Sequence, residues 1–400
     1  MKASPCSPRM PKEPLERHYD ILVIGGAIMG SALAYWLTRI TENGLTVLVC
    51  ERDPTYACSA TMAAAGGIRQ TFSSPENIAM SRFSAGFLRH AADTLAVDGE
   101  AVDPGFIPRP YLFLAGDAGD ADRLRAVHAA RAEAGAPSHW LETAELDATY
   151  PWLFCDDLLG GLLGGPDEGT FDSHALLRGF KRKAIAGGAQ FCDQDVVALE
   201  RSGCRISSVR LASGIRVNCG ALVVAAGGSS GKVLAQLGIS LPIASLPVAS
   251  FLFSAATPPP VSGNAVMPII VDRSQGLNVK PEGGAFLCAM RGATTSTSFD
   301  TLVWPALAHR IPAFEASRFA GIWESAIDAS SHDGNPFIGP FSTHPDVFVI
   351  AGFNGHGLQH APAACLALAE RIVHGTWRSF DLSRFSPERI DQGLRATEHF

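Results

Sequence analysis

The 400-residue chain has no CxxC pair among its nine cysteines, no polybasic run, no internal repeat and no low-complexity segment. It also lacks any apolar stretch near the ~20 residues needed to cross a bilayer. With 32 Lys and Arg against 39 Asp and Glu, the net charge is −7. Without a basic cluster, no nucleic-acid partner is expected. The first twenty residues lack the apolar core of a secretory signal, and their prolines break any long amphipathic helix. A cytoplasmic location is therefore expected, or a mitochondrial one if the source is eukaryotic. In that setting the scattered cysteines read as reduced thiols, mostly buried. No nucleophilic triad or metal-ligand spacing stands out.

What remains is an ordinary globular composition, 47% hydrophobic and 18% charged. Its length suits two or three domains. Ile21 to Gly25 and Leu45 to Glu51 are short continuous apolar runs, as expected of strands buried on both faces of a parallel sheet. Between them lies a helix-like segment, so the three form a βαβ unit. Ser74-Pro75-Glu76 reads as a helix start, with proline and an acid in the first turn. Strands are expected at 111–115, 196–217 (as a hairpin), 221–228, 269–290 and 348–357. Helices are expected at 121–134, 173–186 and from 357 to about 371.

Buried strands at the start, middle and end of the chain pack most simply into one sheet. The expected fold class is therefore α/β with α+β insertions. A Rossmann-like FAD/NAD(P)-binding domain, discontinuous in sequence, would carry a second, mixed-sheet substrate domain. The boundaries read as a disordered tail over 1–18, the nucleotide domain over 19–95, 151–245 and 330–386, and the substrate or cap domain over 96–150 and 246–329. A C-terminal tail would span 387–400.

The chemistry begins at Gly25-Gly26-Ala27-Ile28-Met29-Gly30, which follows a strand and opens a helix. Gly25 permits a tight turn and Gly30 lets helix and strand approach closely. Ala27 holds the place of the glycine beside the pyrophosphate, which crowds that point slightly. Glu51 ends the second strand, 21 residues after Gly30. That spacing suits a carboxylate accepting bonds from ribose hydroxyls. Either FAD or NAD satisfies these residues.

The segments VIGGAIMGSALAYWL, AAAGGIRQTFSSPENIAMS, DEGTFDSHALLRGF, VVAAGG and DGNPFIGP followed by IAGFNGHGLQHAPA resemble the D-amino-acid-oxidase superfamily of FAD-dependent oxidoreductases, which includes sarcosine and glycine oxidases. GGIRQTFSSPEN, VWPALAHRIPAFE and GFNGHGLQHAPA resemble its branch of FAD-dependent oxidoreductase domain-containing proteins. The likeness runs from Asp20 to about Ser386.

The resemblance implies FAD and hydride transfer from a carbon next to an amine nitrogen, giving an imine that water hydrolyses. It places Gly25, Gly26, Ala27, Gly30 and Glu51 at the ADP half of the cofactor. Gly66 and Gly67 would pass beside the flavin ring, and Val197 and Gly227 would also line the site. Gly352, Asn354, Gly355, Gly357 and Leu358 would wrap the pyrimidine edge. Arg69, His356 and Gln359 are the candidates for substrate or flavin chemistry. His360 and Arg291 follow as lesser ones, and Trp323 is expected in the core.

The chain departs from relatives that attach flavin covalently, because Ser325 and Ala63 stand at the linking positions. Non-covalent FAD is therefore expected. The cations that grip a substrate carboxylate in sarcosine oxidases match Phe72 and Gln359, and the oxygen-activating lysine matches Phe286 on a looser alignment. Ala326 and Ile327 replace a tyrosine pair. These changes imply a more apolar pocket, a small-molecule amine substrate, and oxygen or another electron acceptor. Two other readings stay open: an FAD-retaining assembly or binding protein, and an electron-transferring subunit with a partner chain.

Overall fold

A computed structural model describes residues 11–260 and 266–398. Two eight-stranded sheets organise the molecule. The first is built on His18–Ile24, which pairs in parallel with Val47–Glu51 on one side and with Arg216–Val224 on the other. Gln190–Asp193 extends it in parallel beyond Val47–Glu51, and His344–Ala351 joins in parallel to the far half of Arg216–Val224. Antiparallel strands Val196–Ser202, Arg205–Leu211 and Phe337–Phe341 complete the sheet. Every residue of Val47–Glu51 is buried, as a doubly covered parallel strand requires. Three separate stretches of sequence thus build one sheet, the discontinuous arrangement expected.

Three helices matter for the site. The first, α1 (Ile28–Ile40), is buried along almost its whole length. The second, α2 (Pro75–Arg89), begins after Ser74 with proline at its first turn. The third, α3 (Gly357–His374), starts from the loop after His344–Ala351. Aromatic packing fixes this layer: Tyr35, Trp36, Phe87 and Phe180 meet with ring centroids 4.8 to 6.4 Å apart.

The second sheet runs in the order Ser317–Ser330, Ile243–Ala255, Ala285–Met290, Leu277–Glu282, Ile269–Asp272, Tyr111–Ala115, Gly160–Gly164, Ser138–Leu141. Its back is closed by a cluster that includes Phe251, Phe253, Phe286, Phe299 and Phe314. Its other face looks toward the nucleotide domain.

Several boundaries differ from the expectation. Gly160–Gly164 lies within the stretch assigned to the nucleotide domain but pairs with Tyr111–Ala115 in the second sheet. The strand expected at 221–228 begins at Arg216, so the hairpin before it ends at Leu211. Residues 11–18 are not a loose tail: the Pro11, Lys12 and Arg17 carbonyls accept hydrogen bonds from Asp193 N, Gln194 Nε2 and Asn218 N. The rest of that tail, residues 1–10, lies outside the described residues. Residues 387–398 are likewise docked, with Arg389 held by Asp333 (Nε to Oδ2, 2.7 Å). Among the described residues no helix is long and apolar enough to cross a membrane. Six of the eight described cysteines are buried, and Cys58 and Cys204 are exposed.

Candidate active site

A cavity of about 1030 Å³ runs between the two sheets. At one end it meets the Gly25 turn. Gly25 has φ +99°, and a Cβ there would stand 2.5 Å from the Ala225 carbonyl oxygen, so only glycine fits. A Cβ at Gly30 would overlap the Gly25 carbonyl oxygen, which is why helix and strand can touch there. Ala27, by contrast, is extended (φ −66°, ψ −159°). Alanine adopts that conformation freely, so the departure at this position carries no backbone strain.

Glu51 closes this end of the cavity. One carboxylate oxygen accepts from Gly26 N at 2.8 Å and the other from Asp53 N at 2.9 Å. Each oxygen keeps a further lone pair for a ligand hydroxyl. The start of α1 has no side-chain cap and no acid in its first turn, and Ala27, Ile28 and Met29 line the cavity. Its positive end is thus left for an anion. Tyr56 stands nearby, its hydroxyl 2.8 Å from Lys181 Nζ. Burial lowers the Lys181 pKa to about 8.

Val197 is a correction. It is 45% exposed, and its neighbour Val196 lines the cavity instead. The pairing with Arg205–Leu211 shifts register between Val196 and Ala198, which leaves Val197 outside the ladder and turned to solvent. Gly227 lines the cavity at φ +53°, with open space where a Cβ would stand.

At the other end, the loop after Gly66-Gly67 meets the start of α3. Arg69 N donates to Gln359 Oε1 at 2.9 Å, and Arg69 Nη2 lies 2.8 Å from His356 Nε2. Arg69 also donates to the Thr71 carbonyl. Its guanidinium carbon sits 4.0 Å from the Phe72 ring centroid and 5.4 Å from that of Phe113. Arg69 is only 8% exposed. Burial lowers its pKa to about 10, which leaves it charged at neutral pH. Burial, then the Arg69 charge, hold His356 well below the ordinary imidazole value. Because arginine can only donate, His356 accepts at Nε2 and carries its proton on Nδ1.

The three candidates Arg69, His356 and Gln359 are thus brought together. Phe72 is completely buried beneath Arg69 and is not among the residues lining the cavity. His360 is buried behind them, with Nε2 3.0 Å from Ser81 Oγ. Phe286 lies in the aromatic cluster behind the second sheet, its ring 4.7 Å from Phe314. The cavity wall on these strands includes Asn278, Lys280, Leu287 and Ala289 instead. Trp323 is 49% exposed rather than in the core, whereas Ala326, Ile327 and Arg291 line the cavity.

The Gly352–Gly357 turn departs from the simple glycine-loop picture. Gly26, Gly30, Gly352 and Asn354 shape the backbone without lining the cavity, whereas Gly355, Gly357 and Leu358 do line it. Asn354 takes a left-handed φ of +53°, and its side chain donates to the Gly352 carbonyl at 3.0 Å. Asp328, which the sequence reading missed, holds this turn by accepting from Gly352 N at 2.6 Å and Phe353 N at 3.1 Å. Burial raises its pKa, and those two bonds oppose the rise. Glu168 was missed too. It accepts from Gln70 N, Tyr111 N and Arg131 Nη1 at 2.8 to 2.9 Å, tying the Arg69 loop to the second sheet. Only the chain path brings these carboxylates to the site.

The residues present fit FAD. Two uncapped helix starts, an acid for ribose and a glycine turn share one cavity. Bound there, Glu51 and the start of α1 would hold the ADP half, and the 355–359 turn would hold the flavin end.

Comparison with known proteins agrees. The DAO family pattern, described as FAD dependent oxidoreductase, matches residues 20–371. The chain is 34% identical over 418 residues to FAD-dependent oxidoreductase domain-containing protein 1 of Xenopus laevis, covering 93% of this chain and 82% of that protein. It is 25% identical over 386 residues to glycine oxidase of Geobacillus kaustophilus, covering 94% and 98%. Among solved structures, L-proline dehydrogenase from P. horikoshii matches with a TM-score of 0.83 at 22% identity, covering 95% of this chain and all of that one. The chain belongs to the DAO family of FAD-dependent oxidoreductases.

Proposed function

We propose that the chain oxidises the carbon–nitrogen bond of an amine to an imine, which water then hydrolyses, with non-covalently held FAD as cofactor. The observation that carries this reading is the meeting of Arg69, His356 and Gln359 on the cavity that also holds Glu51. FAD supplies the hydride acceptor. The protein's part is orientation and charge. Arg69 presents a buried positive charge, which favours anionic groups nearby. The neutral His356 accepts from Arg69 without cancelling that charge. The largely apolar surroundings of the site favour a substrate amine as its free base, the form that can lose hydride.

Relatives named for glycine, sarcosine and proline support an amine substrate, since each of those molecules carries an amine nitrogen. We read the pocket as less suited to a small zwitterion, because position 72 supplies no cation and Gln359 is engaged with the Arg69 backbone. We read the substrate as an amine with a larger or less polar body. Ser325 and Ala63 both line the cavity and offer neither thiol nor imidazole, which supports a cofactor released by acid.

The test is an absorption spectrum before and after acid precipitation, followed by an anaerobic amine screen. Yellow colour released to the supernatant by acid, and anaerobic bleaching of the native protein by an amine, are the expected outcomes. Colour retained in the pellet would overturn the non-covalent reading. A protein that keeps FAD but is bleached by no amine would overturn the enzymatic one.

A further inference from the structure

The Glu398 carboxylate receives five hydrogen bonds from the segment that follows Arg69. Ser73 donates from its backbone at 2.9 Å and its hydroxyl at 2.6 Å. Ser74 donates from the same two groups at 3.2 and 2.9 Å, and Asn77 Nδ2 at 3.1 Å. These groups form the start of α2, where Ser74 is the N-cap residue but makes no side-chain cap bond of its own. A carboxylate from residue 398 therefore stands where a capping side chain would, at the positive end of the helix.

The segment bearing it is firmly tied. Ala396 N donates to Asp333 Oδ2 at 2.9 Å, and Glu398 N to the Asp333 carbonyl at 3.1 Å. Burial alone would raise the Glu398 pKa. The bonds from Ser73, Asn77 and Ser74 outweigh burial and hold it below the ordinary value. Glu398 is also the foremost charge that supports the buried Arg69 cation.

We propose that Glu398 is a positioning residue of the active site: by capping α2 and holding Ser73 and Ser74, it fixes residues 69–74 so that Arg69 stays against His356. The proposal rests on the reading of Arg69 as an active-site residue. A tail that only added stability would leave the surroundings of His356 unchanged.

The FAD-loaded full chain is compared with its Glu398→Gln variant, which keeps the backbone anchors on Asp333. Hydrogen exchange of peptides covering 69–80 should quicken at least tenfold, with peptides of the first two strands unaffected. Equal protection would overturn the proposal. In histidine-labelled protein, NMR titration of His356, assigned with His356→Asn, should move up by a pH unit or more as Arg69 withdraws. Faster exchange with an unmoved His356 would reduce Glu398 to a helix cap and equally overturn it. If Glu398→Gln does not fold, Ser73→Ala carries the same two readouts, with smaller changes in the same directions. Neither readout uses an amine, so a failed amine screen refutes the enzymatic reading without touching this one.

Discussion

Arg69 and His356 stand 287 positions apart in sequence, yet Nη2 of the arginine lies 2.8 Å from Nε2 of the histidine. The pair joins the loop after Gly67 to the start of α3 and fixes the histidine as a neutral acceptor. Its neighbour His360 shares the same burial, and the Arg69 charge adds to the effect, lowering its pKa to about 3.

Acid should therefore weaken the fold through these histidines. Above pH ~6.5 neither the folded nor the unfolded chain protonates them, so nothing is lost. Below that value the unfolded chain takes up protons that the folded chain refuses, and stability falls as pH falls. For His360 the loss is about 1.4 kcal/mol per pH unit, continuing toward its folded value. Denaturant melts at pH 7 and pH 5 should show His360→Gln losing about 2 kcal/mol less than wild type on acidification. Equal losses would show that His360 is not protected.

Glu51 should govern cofactor affinity. Replacing it with Gln removes charge from an acceptor held by Gly26 N and Asp53 N. Loss of one charge-assisted hydrogen bond, roughly 1.5–3 kcal/mol, predicts a ~10- to 100-fold rise in the dissociation constant for FAD. Fluorescence titration of the apoprotein measures it.

Gly30 and Ala27 of the fingerprint should differ sharply in their tolerance of substitution. Gly30→Ala forces a methyl into the Gly25 carbonyl and should cost ~3 kcal/mol or prevent folding. Ala27→Gly relieves no strain and falls at the N-cap of α1, where glycine is well tolerated, so it should change stability by less than ~1 kcal/mol. Thermal melts of the two variants decide.

Arg131 and Glu168 form a fully buried ion pair, 2.8 Å apart and 0% exposed on both sides. Removing either partner strands the other charge, so Arg131→Met or Glu168→Gln should each cost ~3–5 kcal/mol. The double variant should cost less than the sum of the two. A simple additive result in denaturant melts would mean that the pair is not coupled.

Much of the nucleotide domain was legible because its signals are local. Buried parallel strands read as unbroken apolar runs, and the glycine turn, first helix and Glu51 follow at fixed spacing. Arg69, His356 and Gln359 were legible as candidates through resemblance, but not as neighbours. Phe72 was read as a lost substrate cation, yet it is the aromatic platform beneath Arg69. Val197 and Val196 were confused because an irregularity in strand pairing at that point leaves no local mark in the sequence. Trp323 was expected in the core, but it lies on an edge strand that leaves half of it in solvent.

The sequence by itself determined the βαβ start, the dinucleotide fingerprint and the family, because each is carried by short motifs whose residues are close together in the chain. Only the tertiary structure decided which charges meet. Glu168 against Arg131, Asp328 beneath the 352–353 amides, and Glu398 at the start of α2 all join distant segments. A carboxylate in a sequence looks the same whether it ends in water or in a buried nest of donors. Burial and the partners supplied by the fold decide which it is.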